Sequence, residues 1–120
     1  MHLAEQGNNN RFTAHGAGYV KVNGERYERS IAVSAAEVRS DWLVDSFEAL
    51  SEDHFSCFLA ERPEVLLLGT GSTQRFAHPR LYRALTDAGI GVECMNTPAA
   101  CRTFNILVAE NRKVIAAILL

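Results

Sequence analysis

Residues 65–119 read VLLLGTGSTQRFAHPRLYRALTDAGIGVECMNTPAACRTFNILVAENRKVIAAIL, and their order of apolar runs and punctuation decides the fold. The run Val65–Leu68 is continuously apolar and stops at Gly69-Thr70-Gly71-Ser72, so it reads as a strand buried on both faces. Pro79 opens a helix whose inner face is Leu81, Leu85 and Ala88, and Gly89 suits its left-handed cap. Ile90–Met95 is the next buried strand. Thr97 is expected as the N-cap of a further helix, with Pro98 in its first turn and Ala100, Phe104, Leu107 and Val108 on one face. Glu110–Lys113 turns the chain into a last strand, Val114–Leu119. Two buried strands joined through a helix imply a parallel pair with a right-handed crossover.

Upstream of this stretch the signals are sparser. Asn23-Gly24 stands between two strand-like runs, 19–22 and 26–33, and supplies the two positive-φ residues of a tight hairpin turn. Residues 34–50 fit neither period; an irregular connection with a short strand near 44–47 is expected. Ser51 or Asp53 caps a short helix with Phe55, Phe58 and Leu59 on its apolar face, and Pro63 ends it. The first ten residues are polar and predict a flexible tail, leaving 11–120 as a single α/β domain: a sheet covered by helices, with a β-hairpin added at the front.

Composition removes several classes of function. The chain has 120 residues, 12 basic and 14 acidic side chains and a net charge of −2, so no basic footprint speaks for nucleic acid. The start has neither a cationic segment nor an apolar stretch of signal-peptide length, and no window approaches a membrane span. Three cysteines, Cys57, Cys94 and Cys101, with no Cys-x-x-Cys pair, predict free thiols in a reducing, cytoplasmic setting. His2, His15, His54 and His78 are scattered, so neither metal nor cofactor is expected.

Two loops hold the candidate site. Gly69, Thr70, Gly71, Ser72 and Thr73 follow one strand, but the third glycine of a dinucleotide fingerprint is replaced by Gln74 and no P-loop lysine follows. Asn96, Thr97, Arg102 and Asn105 belong to the other joint. Both follow carboxyl ends of parallel strands, where open α/β sheets bind ligands, so a shallow crevice between them is expected. One helix end and one arginine give only about −4 kcal/mol towards an anion, which is millimolar binding. Cys101 lies early in the same helix, where a thiolate is favoured, yet a small buried hydrophobe is the commoner role. Cys94 is expected in the core. Arg112 reads as a turn charge that pairs with Glu110 or the helix end. No Ser/His/Asp set or carboxylate pair can be placed in one site, so no catalytic residue is named.

The segments LLLGTG and GIGVECMNTPAACRTFNILVAENRKVIAAIL resemble the small α/β family that includes the mitochondrial NADH dehydrogenase (complex I) assembly factor 3 and an adipogenesis-associated human protein. The signature residues are Gly69-Thr70-Gly71, Thr97, Ala100, Phe104-Asn105 and Arg112. The chain departs from the family at Asn96, where relatives have Asp, and at Asn111, where they have Gly. The resemblance implies a three-layer fold with a mixed sheet whose last strand runs antiparallel to the others. It also implies a non-enzymatic accessory protein that binds another protein during assembly or maturation of a complex, with peripheral contact to a membrane complex. The alternative is a small-molecule or anion site in the crevice.

Overall fold

The computed structural model describes residues 9–120. The expected tail lies outside the described residues up to residue 8. Its last residue, Asn10, is buried and fixed: its N–H donates to the Ala35 carbonyl at 2.8 Å and its side-chain amide to that of Ser34 at 3.0 Å.

Among the described residues, eight strands form two sheets. The smaller contains β1 (Phe12–Gly16), β2 (Tyr19–Val22) and β3 (Glu25–Tyr27), all antiparallel. Asn23 and Gly24 take φ of 53° and 85°, the turn that their sequence predicts. The run expected at 26–33 is split. Only β3 pairs with β2, and β4 (Ile31–Ser34) crosses into the main sheet. Strand β1 is not legible in the sequence; it bulges at Thr13, where its register slips against β2.

The main sheet has the order β5-β4-β8-β6-β7, with β5 (Val38–Arg39), β6 (Val65–Thr70), β7 (Gly91–Met95) and β8 (Val114–Leu119). Strands β7 and β8 both run parallel to β6, and β4 is antiparallel to β8. The family resemblance implies an antiparallel last strand; β4 is the reversed one instead. The reason is the helix α3 (Thr97–Ala109), which carries the chain back along the sheet so that β8 starts at the same end as β6.

Alternation along the strands splits the interior into two cores. Leu66, Leu68, Ile115 and Ala117 face Trp42, Phe55, Phe58 and Leu85, from the loop and the short helices α1 (Glu52–Ser56) and α2 (Arg83–Asp87). Leu67, Val114, Ala116 and Ile118 face Ala100 and Phe104 of α3 and Phe12, Val20 and Val22 of the small sheet. Phe104 is fully buried and meets Phe12 edge to face, ring centroids 5.3 Å apart. Burying such a ring contributes about 2–3 kcal/mol. The layers are thus helices, main sheet, and α3 with the small sheet.

Three other expectations change. No strand forms at 44–47. There the Val44 N–H donates to Ser30 Oγ at 3.0 Å, and that hydroxyl donates to the Trp42 carbonyl at 2.7 Å, so a side chain takes the place of a strand neighbour. A 3-10 turn follows at Phe47–Ala49. Strand β7 lies at the sheet edge, half-exposed, so Cys94 is only partly buried. The Pro79 segment starts as a 3-10 turn, Pro79–Tyr82, before α2, and Ala88 is exposed beyond it.

Candidate functional site

Strand β6 delivers Gly69 and Gly71 to the same joint for different reasons. A Cβ on Gly69 would stand 2.9 Å from Ile118 Cδ1, 3.1 Å from Thr97 Oγ1 and 3.2 Å from Ala100 Cβ. Gly69 is therefore the contact that lets α3 lie close on the sheet. Gly71 has φ +88° and open space around it, so it serves the turn.

Asn96, not Thr97, is the N-cap of α3: its Oδ1 accepts from the Ala99 N–H at 2.9 Å. Asn and Asp cap helices about equally well, so the Asp that the resemblance implies at this position would keep the same role. Thr97 is the first helical residue and its hydroxyl is turned inward. Its Oγ1 accepts from the Gly71 N–H at 2.9 Å and donates to the Leu119 carbonyl at 2.7 Å, while its own N–H donates to the Gly71 carbonyl at 2.7 Å. Thr97 thereby ties the ends of β6, β8 and α3 together and is only 5% exposed. Thr70 is also committed. Its Oγ1 lies 2.7 Å from the Thr73 carbonyl and 3.2 Å from that of Met95, and accepts from the Arg75 N–H at 3.1 Å.

The remaining predicted residues separate. A cavity of about 280 Å³ is lined by Gly71, Ser72, Thr97 and Pro98, and its third wall is His15 to Gly18 of the small sheet. A larger adjoining cavity, about 610 Å³, runs from Thr70–Thr73 to Arg29, Leu43, Glu48 and Arg75. Gly71, Ser72 and Leu119 border both. Arg102 is exposed and lines neither cavity. Asn105 sits farther along α3, where its side-chain amide accepts from the Phe12 N–H at 2.9 Å and donates to the Phe12 carbonyl at 2.8 Å. It occupies the place of a neighbouring strand beside β1.

Arg75 and Glu48, 27 positions apart, escape sequence reasoning because nothing local links them. Arg75 Nη2 lies 2.6 Å from the Glu48 carboxylate, and its guanidinium stacks 4.0 Å from the Phe47 ring centroid. The hydrogen bond from Arg75 holds the Glu48 carboxyl below its ordinary value.

Arg112 pairs with Glu64, at 3.1 Å, rather than with Glu110. Its backbone N–H donates to the Leu107 carbonyl and that of Asn111 to Val108, with Asn111 at φ 61°, which is a Schellman cap carried by Asn in place of Gly. Cys101 is 1% exposed, and burial pushes its thiol up to about 12, so the helix start produces no thiolate there. Among the described residues no group of three His, Cys, Asp or Glu side chains stands close enough to hold a metal ion.

A profile of the family described as "Protein of unknown function (DUF498/DUF598)" matches residues 12–119. The NADH dehydrogenase [ubiquinone] 1 alpha subcomplex assembly factor 3 of Bos taurus is 38% identical over 100 residues, covering 82% of this chain and 54% of that protein. The chain thus spans about half the length of this relative. The 13 kDa major membrane protein of Francisella tularensis is 33% identical over 101 residues, covering 80% of this chain and 82% of its own. A crystal structure of a Bordetella parapertussis protein superposes with a TM-score of 0.87 at 41% identity, covering 92% of this chain and 95% of the other. The signature residues have physical roles: Gly69 and Ala100 set a close approach, Thr97 ties three elements, Asn105 holds β1, and Arg112 closes α3.

Proposed function

This chain belongs to the DUF498/DUF598 family, and on that premise we propose that it is a non-enzymatic accessory protein that binds another protein during assembly or maturation of a complex. Its relatives named as NADH dehydrogenase assembly factors support the assembly role. The observation that carries the reading is the fate of the polar groups at the strand ends. Thr70, Asn96 and Thr97 direct their side chains into the fold's own backbone, so these three groups are not free to hold a substrate. Large apolar side chains are meanwhile presented outward: Phe76 is 76% exposed, Ile106 58% and Leu43 55%. Singly such residues are ordinary features of any surface, but on an assembly factor they are the natural anchors for a partner.

The partner is a protein rather than nucleic acid, and the chain works in the cytoplasm, with peripheral contact where the complex is membrane-bound. No described helix is long and apolar enough to cross a membrane. The name of the Francisella relative, a major membrane protein, favours contact with a membrane. Affinity purification under mild conditions, followed by fractionation of membranes with and without high salt, tests this reading. The expected result is a stoichiometric partner that survives washing. Recovery of the chain alone, under conditions that preserve weak complexes, refutes it.

A second reading keeps the larger cavity as a small-molecule site. Its volume of about 610 Å³ lies in the range of ligand pockets, and Arg29 and Arg75 reach it. Arg102 does not contribute. Thermal-shift screening against a metabolite and nucleotide panel tests it; no shift across the panel ends this reading.

A further inference from the structure

The two sheets have four outer strands among the described residues, and three of them are closed to further pairing. Strand β1 is bulged, and the Asn105 amide satisfies both backbone groups of Phe12. Strand β3 has three residues and carries Glu25 and Arg26. Strand β5 has two, with Arg39 engaged by Glu37 and Glu61. Short, charged or covered edges are how proteins prevent sheet extension.

Strand β7 is less protected: it is longer than β3 and β5, and unlike β1 it has no bulge. It is five residues long and, among the described residues, pairs only with β6. The Gly91 N–H donates to the Glu64 carbonyl at 3.1 Å, so the parallel ladder uses the backbone groups of Gly91, Glu93 and Met95. Alternation then turns those of Val92 and Cys94 outward. One of these is met by a side chain: Gln74 Nε2 donates to the Cys94 carbonyl at 3.1 Å. That amide stands where a neighbouring strand would stand.

Charge selects the occupant. Glu93 is exposed and makes no ion pair among the described residues. A second copy paired edge to edge, using Val92 and Cys94 on both copies, sets two Glu93 carboxylates opposite each other, which is unfavourable. We infer that the outer edge of β7 receives an extended segment of a partner protein, which pairs with Val92 and Cys94, takes the place of the Gln74 amide on the Cys94 carbonyl and sets a basic residue opposite Glu93. This rests on the protein-binding reading above and says where and how the partner docks. Backbone bonds supply the attachment and the side chains the selectivity, as in other strand additions.

The test uses two capped nonapeptides of alternating threonine and valine, one with lysine and one with glutamate at the centre, titrated into the whole chain and followed by amide NMR and hydrogen exchange. The lysine peptide is expected to slow exchange at Val92 and Cys94 and to bind about fivefold tighter than the glutamate peptide. Val92→Pro removes an outward N–H without taking a bond from β6, and is expected to abolish binding while the remaining spectrum is kept. Glu93→Lys is expected to reverse the peptide preference, and serves if the proline variant fails to fold. The inference is overturned if neither peptide protects these amides, if protection maps to β1, β3 or β5, or if raising the protein concentration alone protects them. Should affinity purification recover the same partner with wild type and Val92→Pro, the protein-binding reading stands and the edge does not. Should the lysine peptide dock while no cellular partner is found, the reverse holds.

Discussion

Replacing Thr97 with valine keeps the shape of the side chain and removes one oxygen. That oxygen joins the Gly71 N–H at 2.9 Å to the Leu119 carbonyl at 2.7 Å inside a residue that is 5% exposed. Each bond is worth about 1 kcal/mol net, and each group left unsatisfied in a buried setting raises the loss to about 1–3 kcal/mol. Two such groups give a cost of about 2–6 kcal/mol. For a chain of this length each kcal/mol moves Tm by about 4 °C, so the midpoint falls by about 8–24 °C. Thr97→Ser keeps the hydroxyl and loses one methyl, about 1 kcal/mol or about 4 °C. Thermal and urea unfolding by circular dichroism measure both. If valine proves as stable as serine, the hydroxyl is not the tie between β6, β8 and α3, and the structural role given to this signature residue fails.

Asn96→Ala costs about 1 kcal/mol through loss of the cap, whereas Asn96→Asp adds about 0.3–1 kcal/mol from a charge at the helix start; the gain disappears as pH falls below the aspartate's titration, which urea melts at about pH 7 and pH 3 compare. Asn105→Ala leaves both backbone groups of Phe12 without partners, so the Phe12 amide exchanges at least about tenfold faster and stability drops by about 2 kcal/mol in urea unfolding. The Cys101 thiol, raised to about 12 in the folded state, favours folding below the ordinary thiol range near about 8.5; that contribution is lost as pH rises from there towards 12. Iodoacetamide at about pH 8 is accordingly expected to label exposed Cys57 first and to reach Cys101 only on unfolding, and equal rates at the two would contradict the burial.

The second half of the chain is legible because its signals are local. Val65–Leu68, Pro79, Gly89, Pro98 and Val114–Leu119 each punctuate their own element, and the structure follows them. The direction of β8 is not readable from Glu110–Lys113, since so short a turn serves either sense; the length of α3 decides it. Strand β1 is invisible because its sequence, FTAHG, lacks alternation and one of its neighbours is the side chain of a residue 93 positions away. The same holds for the crevice. Its two loops follow from the strand ends, but the wall at His15–Gly18 and the Arg75–Glu48 pair arise only from long-range packing. Thr97 is marked by its sequence position as a residue of the joint, but what its hydroxyl does there is hidden. Cap grammar fits Asn96 and Thr97 equally until the direction of that hydroxyl is known.

The position of β8 bears on how the molecule is made. It stands between β4 and β6, and without it the main sheet falls into a β4–β5 pair and a β6–β7 pair with no bond between them. Yet it is the last of the five to leave the ribosome. A nascent chain that has displayed β4, β6 and β7 still has an open slot of apolar, hydrogen-bond-hungry backbone at its centre, and residues 114–119 fill it only once they clear the exit tunnel. Folding of this domain is therefore completed after synthesis of its sheet rather than during it.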